Sequence, residues 1–548
     1  MFGRWHSVKL ASQLRLLAIP LLLFVSLALL LLPNKAPWCD EGWFACPAHQ
    51  IAFHGNDATP VLEPTGHYLD KPLVGINKRT LVVPPLHLWM LAACYRIFGG
   101  GLDTGRLYSL VWGALGIVVI AALVQWAWRK PVLTFLTSLL LSVDLVYLWG
   151  SIDIRMDIET AVLGWSSWLA YLTLRKRSLQ WALVLSSLLL TLGALTHPNA
   201  IYAGMGLGIV VIRLDRKRLK VPMFALAAIP PIVGVAVWVG FVSPDFELFR
   251  IQFGANAAGR GNLRTRYLLQ PWMTLYLEIA IRYLTTYGFK PIFLGAIPMF
   301  CLGIPVAYAM SLALAAAHRR AWFRGRGGVI GVLIVSQLLF FTFLMSYKPQ
   351  VYVLYLVPLW TILISWLMIR LWEQSLRGRL IAILLAALLV VADISGIVFK
   401  LKDRERQDGF AKAHQYLKRA RASGESLWAP TYWGAEEDYS GYREDIRFGY
   451  FTGERADWLV RDHMQEYFEG LFELEEPKVY SHVRSLLSQE YTEAARFGEI
   501  SIFRRKSSQK ADQMTKEKTL DTRSSIERNI PAGISRAAEA KVEAAPTF

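Results

Sequence analysis

Between residues 14 and 399 the sequence returns repeatedly to apolar runs of about twenty residues, the length a helix needs to cross a bilayer's hydrocarbon core. About eleven are legible, roughly 14–32, 105–128, 132–150, 158–174, 179–196, 200–213, 221–243, 291–317, 328–346, 350–370 and 380–399. In lipid every backbone group must be satisfied within its own segment, so such runs fold as helices, and a polytopic α-helical membrane protein is expected. The 548 residues are 54% hydrophobic and 18% charged, where soluble domains average about 25% charged. This excludes a disordered or collagenous chain, and four cysteines are too few for a disulfide scaffold. A net charge of +17 invites nucleic acid, but most basic clusters stand between apolar runs, so no nucleic-acid partner is expected. The first run is expected to remain in the mature chain, since Asn34-Lys35-Ala36-Pro37-Trp38 comes after it rather than a small-residue cleavage site.

Two further stretches stop short of a span. After Pro84-Pro85 the apolar part of Leu81–Phe98 runs only from Leu86 to Phe98, and Tyr267–Tyr287 is interrupted by Pro271, Glu278 and Arg282. If both lie flat on the outer face, the basic clusters all fall on one side. These are Arg4/Lys9/Arg15, Arg129-Lys130, Arg175-Lys176-Arg177, the 213–220 and 319–326 clusters, and Arg370/Arg377/Arg379. Positive charge marks that side as cytoplasmic, with the N-terminus on it. The outer face then receives the 33–104 and 244–290 loops, the 151–157 turn, His197-Pro198-Asn199, residues 346–350, and everything after about 400. The expected organisation is a membrane domain over 1–399, a small extracytoplasmic α/β domain over 400–505, and a disordered tail over 506–548. In the second domain, Phe410–Ala420 and Val479–Leu487 read as amphipathic helices, and Asp457–Val460 and Glu499–Phe503 as strands.

Polar chemistry concentrates on that outer side. Trp38-Cys39-Asp40-Glu41-Gly42-Trp43-Phe44 places two adjacent carboxylates beside the membrane, where desolvation makes a carboxylate a better base and a helix N-terminus also welcomes it. Ser151-Ile152-Asp153-Ile154-Arg155-Met156-Asp157 comes after the third run, with Asp157 placed either to cap the next helix or to join the acidic pair. Lys71, Arg79 and His87 near the end of the first loop, and Lys348 later, put positive or ionisable groups where the topology rule disfavours them. A lipid phosphate or anionic headgroups would account for them. His49, His54 and His67 match no familiar metal spacing with Asp40 or Glu41, and Cys39 and Cys46 are open to a disulfide or to two free thiols. Asp144 and Asp393 interrupt apolar runs and are expected to face the bundle interior.

Taken in order, these residues resemble the GT-C superfamily of membrane glycosyltransferases, most of all the protein O-mannosyltransferases and the bacterial aminoarabinose transferases of lipid A. The resemblance rests on Asp40-Glu41 after the first span, then Pro84-Pro85-Leu86-His87-Leu88-Trp89 leading to Phe98-Gly99, and Arg106 near the start of the second span. It continues with Arg155-Met156-Asp157 after the third span and Lys348-Pro349-Gln350-Val351-Tyr352 before a later one. The aminoarabinose branch carries Glu-Lys-Pro just before its helix. Asp70-Lys71-Pro72 matches this by distance from Asp40, whereas Pro84-Pro85 matches by the helix that starts directly after it. The resemblance implies transfer of a sugar, with inversion, from a polyprenyl-phosphate-linked donor to a lipid, glycan or protein acceptor outside the cytoplasm. Asp40 would be the general base. Glu41 and Asp157 would position the acceptor, or hold a divalent cation where one is used. Lys71, Arg79, Arg155 and Lys348 would stabilise the departing lipid phosphate, with His87, Arg106 and Tyr352 completing the substrate-binding set.

Two other classes compete. An O-antigen-ligase-like or phosphoethanolamine-type transferase would use a large outer loop rich in Arg and His, whereas here the acidic pair sits in the first loop. A transporter or lipid flippase would place a charged site near the midplane between paired halves, and only Asp144 and Asp393 hint at one.

Overall fold

The computed structural model describes residues 2–62, 73–260, 270–288, 297–345, 348–436 and 438–506. The tail beyond Lys506 lies outside them. The chain opens with α1 (Phe2–Leu31), α2 (Cys39–His54) and α3 (Pro85–Phe98). Next come α4 (Leu102–Trp128), α5 (Pro131–Val143), α6 (Leu145–Ser151), α7 (Met156–Leu174), α8 (Leu179–Thr196), α9 (Ala200–Asp215), α10 (Val221–Val242) and α11 (Phe246–Arg260). Further helices cover Gly303–Ala317, Gly327–Leu339, Val357–Trp372 and Leu376–Lys402, so helix covers most of the described residues of every apolar run. By length and composition six helices among the described residues are apolar enough to cross a membrane, or seven if α5 and α6 count as one. The 14 residues of α3 rise only about 21 Å, short of a hydrocarbon core. Pro85 starts that helix and Gly99 ends it at φ +90°, a backbone geometry that suits glycine.

The α5–α6 pair bends by 66° at Asp144. A helix restarted inside an apolar bundle leaves its first N–H groups without partners, and two carboxylates repair this. Asp144 accepts from the Tyr147 N–H at 2.8 Å, and Asp393, from the Leu376–Lys402 helix, accepts from the Leu145 N–H at 3.0 Å. Both acids face the bundle interior, as expected, and both are buried. The kink brings Tyr147 against α4, where its hydroxyl donates to the Gly113 carbonyl at 2.7 Å. A Cβ on Gly116 would lie 2.2 Å from that hydroxyl, so the approach needs glycine.

Packing divides the chain into two compact units, residues 1–414 with 430–445, and residues 415–429 with 446 onward. Composition changes near 400, but the 430–445 segment packs with the helices. Its turn over Thr431–Glu436 lies on α2 so closely that a Cβ on Gly42 would fall 2.4 Å from the Tyr432 nitrogen. The Glu444 N–H donates to the Val61 carbonyl at 2.7 Å. The second unit carries a four-stranded sheet in the order β1-β2-β4-β3, built from β1 (Leu427–Trp428), β2 (Trp458–Arg461), β3 (Tyr491–Phe497) and β4 (Ile500–Arg505). β1 runs parallel to β2 and the other pairs are antiparallel. Helices His463–Glu475 and Pro477–Gln489 contribute Phe472, Val479, Val483 and Leu486 to a core with Trp428, Phe448 and Leu459.

Candidate active site

The first turn of α2 sets the site. Trp38 enters it in extended conformation, and Asp40 and Glu41 fall where a helix N-terminus favours carboxylates. Neighbouring helical residues point about 100° apart, so the two acids cannot share one environment. Asp40 keeps 26% of its side chain exposed, whereas Glu41 is wholly buried.

Asp40 pairs with the Nη1 of Arg155, the residue that precedes α7. The same guanidinium donates through Nε to Asp157 at 2.7 Å, so one cation bridges the two predicted carboxylates. Trp38 and Phe44 hold it in place, with ring centroids 5.5 and 5.8 Å from its Cζ. The Tyr355 hydroxyl donates to the other Asp157 oxygen at 3.2 Å. Tyr352 stands beside it with rings edge-on at 5.8 Å, its hydroxyl 3.4 Å from His197 Nε2. His197 Nδ1 in turn accepts from the Asn199 N–H at 3.0 Å. Asp40, Arg155 and Asp157 thus come together as the sequence suggested, with Tyr352 close by. Tyr355 belongs to the group as well, and only its place one turn beyond Tyr352 could have signalled it.

Beneath this lies a buried charge network. Arg106 takes Glu41 in bidentate fashion, Nε to Oε1 at 2.8 Å and Nη2 to Oε2 at 2.6 Å, and donates through Nη1 to the Lys35 carbonyl at 2.6 Å. Glu41 also faces the Ile154 N–H at 3.3 Å. Lys35 lies 3.5 Å from Asp153 and donates to the Trp149 and Ile152 carbonyls, and Trp38 Nε1 donates to Asp153 at 3.0 Å. Residues 35–41 are therefore fastened to the 149–157 turn through matched charges. Burial pushes the Glu41 carboxyl up, but Arg106 and Lys35 outweigh it and hold Glu41 below the usual range. Burial lowers the Lys35 ammonium and raises Asp153 to about 7, with each partner opposing the other's shift. Glu41 and Arg106, expected at the substrate, face one another out of solvent. Lys35 and Asp153 complete that buried network. Their only signal was proximity, since Lys35 precedes the acidic pair and Asp153 shares a heptapeptide with Asp157.

The remaining predicted residues among those described are held by other partners. Arg79 is held by Asp57 at 2.9 Å and Asp245 at 3.0 Å, against the Phe241 ring, and braces its loop to the end of α10. Lys348 is buried, 3.0 Å from Glu278 and donating to the Phe341 carbonyl at 2.9 Å. Glu278 also takes Arg282 Nη1 at 2.8 Å, so two buried cations share one carboxylate and leave net positive charge. Burial lowers the Lys348 ammonium to about 8, with Arg282 adding to the effect and Glu278 opposing it. His87 pairs with Glu159. Lys71 lies outside the described residues. Cys39 and Cys46 are not bridged to one another, since seven residues on one helix separate them by about 10 Å along its axis, beyond disulfide reach. Among the described residues no three His, Cys, Asp or Glu side chains gather as metal ligands. Glu41 and Asp157, the pair that would hold a divalent cation where one is used, are each buried against a guanidinium, Arg106 and Arg155, so these residues do not fit one.

Residues 82–241 match the family model described as dolichyl-phosphate-mannose-protein mannosyltransferase. That stretch holds His87, Arg106, Arg155 and Asp157, with Asp40 upstream of it and Lys348 beyond it. No curated protein matches the sequence. Among solved structures, ArnT from Cupriavidus metallidurans bound to undecaprenyl phosphate superposes over 88% of this chain and 97% of its own, with a TM-score of 0.54 and 14% identity. The apo oligosaccharyltransferase of Archaeoglobus fulgidus covers 82% of this chain and 69% of its own, at a TM-score of 0.52 and 11% identity. The fold is that of the GT-C glycosyltransferases, as the ordered motifs implied, and the chain is a multi-pass helical membrane protein.

Proposed function

We propose that the protein transfers a sugar, with inversion, from a polyprenyl-phosphate-linked donor to an acceptor hydroxyl on the outer face of the plasma membrane. The observation that carries this reading is Asp40. It is a partly exposed carboxylate on a helix N-terminus, clamped by Arg155 to Asp157, in a fold shared with a protein bound to undecaprenyl phosphate. Asp40 takes the acceptor hydroxyl's proton as that oxygen attacks the anomeric carbon. The bond to the phosphate oxygen breaks, and the lipid phosphate leaves with the electron pair. Arg155 orients the base, and Asp157 with Tyr355 orients Arg155. Lys348 and Arg282, which together outnumber Glu278, suit the growing negative charge of the leaving group. Arg79, already neutralised by two carboxylates, serves as a brace, and Lys71 stays a candidate phosphate contact. In this reading the eleven helical runs all span, α3 lies along the outer interface, the N-terminus is cytoplasmic and the sheet unit is extracytoplasmic.

Donor consumption is the first test. In proteoliposomes supplied with a panel of undecaprenyl-phosphate-linked hexoses and pentoses and an envelope extract as acceptor, at least one donor is expected to be consumed with release of undecaprenyl phosphate. Movement of intact donor across the bilayer without consumption would instead support a flippase. The acids that hinted at a transporter, Asp144 and Asp393, serve the helix break, which argues against that outcome. The second test is pH. A Lys348 ammonium that titrates near 8 is protonated below that value and neutral above it. Attraction for a phosphate is therefore present at pH 7 and lost as the pH climbs. Because the charge that Lys348 meets grows in the transition state, kcat as well as donor binding is expected to weaken between pH 7 and 9, with kcat/KM falling severalfold and the donor KM rising, and Lys348→Arg should flatten the profile. A KM independent of pH across this range would detach Lys348 from the donor.

A further inference from the structure

His87, on α3, is fully buried, and so is Glu159, on the first turns of α7. His87 Nδ1 lies 2.9 Å from Glu159 Oε2, which also accepts from the Tyr108 hydroxyl at 2.7 Å, while the Thr196 hydroxyl donates to Oε1 at 3.2 Å. The Thr196 hydroxyl also reaches the Leu192 carbonyl at 2.9 Å, but a carboxylate can only accept, so His87 Nδ1 carries a proton toward it and the ring's orientation is fixed. The other nitrogen, Nε2, is buried with no hydrogen-bond partner among the described residues. A polar atom held within a cluster drawn from four helices and left unpaired out of water is costly unless something else meets it. Its surroundings narrow the choice. The Phe44 ring stands edge-on to the imidazole at 5.9 Å, and Tyr108 is tilted at the same distance. Glu159 behind the ring repels an anion, so a phosphate is a poor occupant. A neutral hydroxyl, able both to donate and to accept, suits Nε2 whatever its protonation, and aromatic walls suit the C–H faces of a saccharide. Phe44 also packs on the Arg155 guanidinium, one helical turn from Asp40, so the imidazole and the guanidinium lie against the same ring.

The geometry points to His87 Nε2 as a specificity-determining contact to one hydroxyl of the transferred sugar, with Glu159 as the positioning residue that fixes the imidazole. This rests on the glycosyltransferase reading above, and the experiment separates the two. The wild type is first assayed with undecaprenyl-phosphate-linked sugars and envelope extract, and its best donor is then compared with that donor's monodeoxy analogues. One analogue is expected to lose about 10- to 100-fold in kcat/KM, because removing that hydroxyl leaves Nε2 unpaired again. In His87→Phe the penalty at that one position should shrink to within about twofold while the other positions keep theirs, a coupling that a merely structural role would not produce. Where His87→Phe fails to fold, judged by its melting temperature, Glu159→Gln carries the same test, and its freer imidazole is expected to cut the penalty severalfold. A penalty unchanged in the folded variant, or a wild type indifferent to every deoxy position, overturns the assignment while leaving the glycosyltransferase reading in place. Consumption of no donor by the wild type overturns that reading and this inference with it.

Discussion

Arg106→Leu is expected to leave little folded protein, with a loss of about 3–5 kcal/mol, because it strands the Glu41 carboxylate in a fully buried site. Glu41→Leu should cost about as much, since it leaves the guanidinium buried beside Lys35, another cation. Glu41→Gln keeps the shape and an acceptor for Arg106 and should cost clearly less. The double variant Glu41→Leu/Arg106→Leu removes both charges together and should be milder than the sum of the single changes, since the penalty in each arises from an unpaired ion. Thermal melting of the purified variants in one detergent checks the order. A double variant as unstable as the sum would show that packing, not charge pairing, holds α2 to α4. The same pair makes a kinetic point. Neither residue is exposed to substrate, so the turnover that Glu41→Gln loses should track its loss of stability rather than exceed it.

Asp40→Asn is expected to lower kcat by about 10³, within the range of 10²–10⁴ that a positioned general base contributes, while the donor KM shifts little. Asparagine fits the same volume and still accepts from Arg155, so fold and melting temperature should hold. Arg155→Leu should behave differently. It frees Asp40 and takes from buried Asp157 its guanidinium partner, leaving the Tyr355 hydroxyl to serve that carboxylate, so it should lose both turnover and stability. That contrast separates a base from the group that orients it.

The helices were legible because lipid asks one simple thing of a segment, an apolar length, and each run supplies it without needing a partner. The break at Asp144 was legible only as a lone carboxylate in the wrong place. Its cause, a second carboxylate at Asp393, lies 248 positions away from Leu145 and leaves no local trace. The sheet shows a different limit. β2 and β4 carry apolar or β-branched residues, whereas β1 is two residues long and β3 reads Thr-Glu-Ala-Ala-Arg through its middle, a composition without strand character. At the site, Asp40, Arg155 and Asp157 stood out because ordered motifs on one side of the membrane carried them. Glu159, Glu278, Arg282 and Tyr355 did not, because their roles come from pairings such as Tyr108 with Glu159, or Lys348 with Glu278, that only the assembled bundle creates. The adjacency of Asp40 and Glu41 misled in an instructive way. Side by side in sequence they looked like a catalytic pair, yet the helical turn between them sends one toward solvent and the other into the core.

The mechanism depends on Asp40 taking the acceptor's proton as the acceptor displaces the lipid phosphate from the sugar. The direct test is the initial rate of undecaprenyl phosphate release from the best undecaprenyl-phosphate-linked donor in proteoliposomes, wild type beside Asp40→Asn at matched protein and equal melting temperature. Steady release by the wild type, falling about 10³-fold in the variant and yielding a product of inverted anomeric configuration, is the predicted result. Equal release by both proteins, or retention of configuration, would contradict it.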